Sequence, residues 1–195
     1  MRNALAHCCS MGAERMATEA LAGGVDLADT ELGPRRVLAV DLVGEMGAAF
    51  IFGLDRAHGT HSVDFVPAYK SDLGWQPLGS GGSWGSIDWP LHWPPQPWDG
   101  PAVMSFGVAG NAGPLVDAGE DNDELSVDAW MVYATGGFLA PAVHTVAVTD
   151  VNGTHHCDLR SPVRAFVAAG RERMTVSFCE ASGLKLHSYI CPATS

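Results

Sequence analysis

The chain has 195 residues, of which 47% are apolar and 17% charged, with 23 Gly and 12 Pro. A chain of this length buries roughly 70% of its unfolded surface without a disulfide staple, and the composition is that of a compact, turn-rich β protein rather than a disordered one. Eleven Lys and Arg against 22 Asp and Glu leave a net charge of −11, which repels phosphate backbones and anionic lipid surfaces. The expected partners are therefore a protein, another copy of the chain, a cation or a neutral ligand, and not nucleic acid.

No stretch approaches the ~20 apolar residues of a membrane span, and the first 14 residues lack the apolar core of a signal peptide. A cytoplasmic protein is expected. The five cysteines, Cys8, Cys9, Cys157, Cys179 and Cys191, are odd in number and lack framework spacing, so free thiols are expected. Cys179 follows a β-like run and reads as a small buried hydrophobe.

In chain order, residues 1 to 12 read as a loose terminus, although Ala4, Leu5 and Ala6 could extend a helix backwards. Residues 13 to 22 form a short helix with Met16, Ala17, Ala20 and Leu21 on one face, stopped by Gly23-Gly24. Arg36 to Val43 alternates as a strand, placing Leu38, Val40 and Leu42 on one face and Asp41 on the other. A turn at Gly44 to Gly47 leads to a returning strand with Phe50, Phe52 and Leu54. Thr60 to Tyr69 alternates through His61, Val63 and Phe65, and Gly74 to Leu78 adds a short strand whose Pro77 suits an edge. Gly79 to Gly85 is read as too glycine-rich for regular structure.

Residues 89 to 100 hold four prolines and three tryptophans, the best boundary in the chain. The expected organisation is a tail and helix over 1–33, an antiparallel meander over 34–83, a Trp/Pro connector over 84–99 and a β-sandwich over 100–195. In the last part, strands are expected near 103–108, 127–135, 142–149, 154–159, 162–168, 173–180 and 184–190, with a hairpin turn at Val151-Asn152-Gly153. The fold class is mainly β (α+β).

Val143, Val146 and Val148 on one strand, the Asp150 to Gly153 turn and the closing apolar strands resemble the Ig-like β-sandwiches of many proteins of high-GC bacteria. The resemblance covers roughly the last 95 residues. It implies a sandwich fold and no catalytic residue to carry over. The helix and meander of the first half are similar to cystatin-like α+β sheets.

Trp84, Trp89, Trp93 and Trp98 could form a flat aromatic surface for sugars or Pro-rich peptides, or anchor the two halves against each other. Asp117, Glu120, Asp121, Asp123 and Glu124 in one acidic loop are the oxygen ligands calcium prefers, although the loop lacks the EF-hand glycine and is more simply a solvated face. In His155-His156-Cys157-Asp158, adjacent residues of a strand face opposite ways, so only His155 and Cys157 can share a face towards zinc. His58 and His61 offer no third ligand. Gly81-Gly82-Ser83-Trp84-Gly85 fits G-x-S-x-G, but no helix can follow through Pro90, Pro94 and Pro95. Asn152-Gly153-Thr154 fits a glycosylation acceptor, and reads better as a turn. No cofactor is required by any of these patterns, with calcium or zinc the two ions to consider. The sequence thus favours a non-enzymatic interaction or assembly module, with a hydrolase built on Ser83, His58 or His61 and a carbohydrate-binding module as alternatives.

Overall fold

The computed structural model describes residues 2–23, 35–55, 60–86, 103–112, 131–159 and 164–191, with backbone alone at 2–11, 54–55, 83–86 and 103–112. The protein is mainly β, with antiparallel sheets and, among the described residues, one N-terminal helix.

Helix α1 spans Arg2–Leu21 and so starts well before the expected residue 13. The backward extension through Ala4 to Ala6 is realised, because residues 2 to 12 contain no proline and the one glycine, Gly12, is tolerated within a helix. It ends where Gly23 adopts a φ of 83° and donates to the Ala20 carbonyl, as a glycine past the last turn does. Its buried face is small: Ala13, Ala17 and Ala20 pack on Val37, Ala49, Ile51 and Val66.

Those partners belong to a five-stranded sheet. It contains β1 (Arg35–Val43), β2 (Met46–Asp55), β3 (Thr60–Ser71), β4 (Gly74–Pro77) and β5 (Gly81–Ser86). The order is β1-β2-β3-β4, and β5 pairs with the other half of the β3 edge. The glycine-rich run expected to be irregular is therefore a strand. Its composition is a requirement of the pairing, since a Cβ on Gly82 would stand 1.8 Å from the Val63 carbonyl oxygen.

Strand β1 differs from its expected pattern. Val37 pairs with Ile51 and Ala39 with Phe50, leaving Leu38 as a bulge. One extra residue reverses the parity of everything that follows. Leu38 and Ala39 both join the Phe50 and Phe65 cluster, Val40 turns to the helix side, and Asp41, expected on the polar face, is directed inward at 3% exposure. Leu42 is left exposed instead of buried.

A three-stranded sheet, β10-β7-β6, is built from β6 (Val103–Ala112), β7 (Met131–Leu139) and β10 (Ala165–Arg171). A four-stranded sheet, β12-β11-β8-β9, is built from β8 (Thr145–Asp150), β9 (Gly153–His156), β11 (Met174–Cys179) and β12 (Lys185–Cys191). The three-stranded sheet lies in the middle, and β10 is buried on both faces. Ala165, Val167 and Ala169 meet Phe50, Phe52 and Phe65 of the five-stranded sheet. Phe166 and Ala168 meet Val146, Val176 and Phe178 of the four-stranded sheet, with the Phe166 and Phe178 rings edge to face at 5.3 Å. Layers of helix, sheet, sheet and sheet thus enclose three apolar cores. The connector 84–99 lies outside the described residues beyond Ser86.

Close approach of the middle sheet depends on Gly136, where a Cβ would lie 2.5 Å from the Phe166 carbonyl oxygen and 2.8 Å from the Phe65 ring. Backbone on one side and a packed ring on the other leave no room to yield. Gly136→Ala is expected to cost about 1–3 kcal/mol in chemical denaturation, and an unchanged midpoint would contradict the packing described.

Candidate functional site

Asp41 is the buried carboxylate on which three parts of the chain converge. The β1 bulge aims it between the sheets, where its Oδ2 accepts the backbone N–H of Ala169 on β10 at 2.8 Å and the Nε2–H of His155 on β9 at 2.9 Å. A carboxylate only accepts, so this contact fixes the histidine proton on Nε2. The Cys157 Sγ lies 4.0 Å from the same oxygen, at the outer limit of a weak thiol hydrogen bond.

The hairpin places His155 and Cys157 together. Asp150 Oδ1 accepts the Asn152 N–H at 2.8 Å and Gly153 takes a φ of 125°, closing the tight turn between β8 and β9. The ladder then sets His155 opposite Val148, and the Cys157 N–H bonds the Val146 carbonyl. Val146 and Val148 are buried, so His155 and Cys157 share their inward face while His156 is exposed. This is the shared face expected from strand alternation.

Asp41, His155 and Cys157 present one oxygen, one nitrogen and one sulfur within 4.8 Å of one another. Burial first, then the carboxylates of Asp41 and Asp158, push the Cys157 thiol well above its usual range. Without an ion it is a neutral thiol and a poor nucleophile. The nearest partner of the imidazole is the carboxylate rather than the sulfur, which does not make a nucleophile–base–orienter relay. Cys191 is likewise pushed up to about 12 by burial. Cys179 is half-buried rather than fully buried.

Trp89, Trp93, Trp98 and His58, together with Asp117, Glu120, Asp121, Asp123 and Glu124, lie outside the described residues. Trp84 is in β5 opposite Ser62. Ser83 is in the same strand, opposite Val63, and Gly85 faces His61. An extended, paired strand is not the sharp strand-to-helix turn that a nucleophile elbow requires, so the G-x-S-x-G pattern has no elbow here. Sequence reasoning missed Asp41 because the bulge that turns it inward leaves no mark in an apolar alternation.

Comparison with protein-family models, curated proteins and solved structures finds no match. Among the described residues no helix is long and apolar enough to cross a membrane.

Removing the Asp41 carboxylate would strand a buried N–H and a half-buried imidazole. Asp41→Ala is expected to cost about 1–3 kcal/mol in denaturant unfolding. Asp41→Asn should cost less, because its amide oxygen can still accept from Ala169. Equal losses would show that the acceptor role is not what matters.

His61 gives a pH prediction. It stacks on Phe52 with ring centroids 6.1 Å apart, its Nδ1 is buried without a partner among the described residues, and burial lowers its pKa. The folded state therefore prefers the neutral ring, while the unfolded chain binds a proton near its ordinary value of about 6.5. The His61 contribution is complete above that value and is lost as pH falls below it. The stability difference between pH 7.5 and pH 5.5 is expected to shrink in His61→Phe, as followed by thermal unfolding.

Proposed function

We propose that the chain is a non-enzymatic interaction module of Ig-like topology that pairs with a second copy of itself along the outer edge of β12. Among the described residues, seven strands from Val103 to Cys191 divide into three and four, with the first, second and fifth of them facing the other four, which supports the Ig-like reading. Ig-like sandwiches host many functions, so the function is argued from the surface.

The observation that carries it is the exposure of β12. Among the described residues it pairs only with β11, which makes it the end strand of the four-stranded sheet. Leu184, Leu186 and Ile190 are 63%, 38% and 41% exposed. Inward, Tyr189 packs on the sandwich core and its hydroxyl bonds Thr135 at 3.1 Å, so the strand is firmly seated. A seated, apolar, open edge is a template for strand addition.

Charge and symmetry favour a second copy as the occupant. The chain carries −11, so copies repel over most of their surface, whereas Lys185 is the only formally charged residue of β12. Antiparallel pairing about Ser188 sets Leu186 against Ile190 and His187 against Tyr189 twice over, with no like charges opposed. Native mass spectrometry and sedimentation are expected to show a dimer for the parent chain. Leu186→Lys with Ile190→Lys should give a folded monomer, since surface changes of this kind alter stability by only about 0.5 kcal/mol. A monomeric parent, or a variant that dimerises equally well, would overturn the proposal.

A further inference from the structure

We infer that Asp41, His155 and Cys157 form a site for one borderline-soft divalent cation of the zinc type, with three protein ligands and a fourth position left for water or an added donor. The three donor atoms come from β1, from β9 and from the residue just beyond β9, and all lie within 4.8 Å of one another. Ligand bonds of ~2.0–2.3 Å at tetrahedral angles put neighbouring donors about 3.3–3.6 Å apart. The O to N distance of 2.9 Å and the O to S distance of 4.0 Å bracket that spacing. The third separation, His155 to Cys157, is within 4.8 Å, so shifts of up to about 1 Å, within the reach of side-chain rotation, bring the three onto one centre.

The donor set selects the class of ion. Calcium and magnesium take oxygen shells, whereas one thiolate, one imidazole and one carboxylate suit zinc and its neighbours in the transition series. The support around the ligands is also of the kind metal sites use. The Ala169 N–H holds the carboxylate at 2.8 Å, and the ladder with Val146 and Val148 fixes the strand that carries the other two. Asp41 and Cys157 are 3% and 7% exposed while the His155 side chain is 20% exposed, so the fourth position opens on the histidine side. The ion would take the place of the proton between Asp41 and His155, which moves to Nδ1 of the imidazole, and the Cys157 thiol would release its proton to water, converting a hydrogen-bonded contact between strands into a coordinated one.

Cobalt(II) is the probe, because a cobalt–thiolate bond gives a near-ultraviolet charge-transfer band that carboxylate and imidazole ligands do not. Chelator-treated full-length chain is expected to bind one cobalt with this band and to be outcompeted by zinc. Cys157→Ser should lose the band, His155→Ala should weaken binding at least tenfold, and His156→Ala, on the opposite face, should change neither. Zinc should raise the unfolding temperature of the parent chain and of His156→Ala equally, and that of His155→Ala by less. Absence of a thiolate band in the parent chain, or its persistence in folded Cys157→Ser, would overturn the assignment.

Discussion

A single carboxylate oxygen holds the layers of this protein in register. Asp41 Oδ2 belongs to the five-stranded sheet, and it accepts from the middle sheet at Ala169 and from the outer hairpin at His155. A buried carboxylate is costly unless its lone pairs are used, and a buried N–H is costly unless it is accepted. Each requirement here is met by the other. Apolar packing alone would let two sheets slide over one another at little cost, because the hydrophobic effect is non-directional. A charge-assisted bond of 2.8 Å has direction, and so fixes which residues face which.

The same economy explains why β10 is an edge and remains one. Its Ala169 N–H is accepted by Asp41 and its Arg171 N–H by Asp150 Oδ2 at 2.8 Å. Residues two apart on a strand direct their N–H groups to the same side, so two carboxylates stand along the side of β10 that β7 does not occupy. They satisfy the donors that a further strand would have used, and they present negative charge there. The chain can then leave the middle sheet at Arg171 and enter the outer one at Met174, with Glu172 in a left-handed turn at a φ of 58°. Sandwich formation is in this sense a consequence of how the β10 edge is closed.

Much of the architecture was legible because each strand writes its own alternation. Val146 and Val148 are buried as their spacing demands, Phe50 with Phe52 and Val63 with Phe65 form one core, and Pro77 stands in an edge strand. Two features were illegible for physical reasons. The Gly81–Ser86 strand looks like a loop because propensity counts side chains, while its pairing needs their absence at Gly82. The Leu38 bulge is invisible because Leu38, Ala39 and Val40 are all apolar and satisfy either parity. The site suffered most from this. The common face of His155 and Cys157 follows from strand period, but their partner lies 114 residues before His155 and points inward only because of the bulge.

The contrast between two edges bears on what the molecule is for. The chain spends two aspartates on closing β10, a strand already buried between sheets. On β12, which faces solvent, it places no carboxylate and no proline from Lys185 to Cys191, and exposes Leu186 and Ile190. Solvent-facing edges are ordinarily the ones that need charge, proline or a bulge to prevent association. The irregularity between Phe178 and Cys179 makes Leu186 the extra residue of β12, and His187 to Cys191 stay in regular register with β11. The proposed pairing rests on this apolar, nearly uncharged edge in an acidic chain, and the Asp41 latch is what holds the sandwich behind it in register.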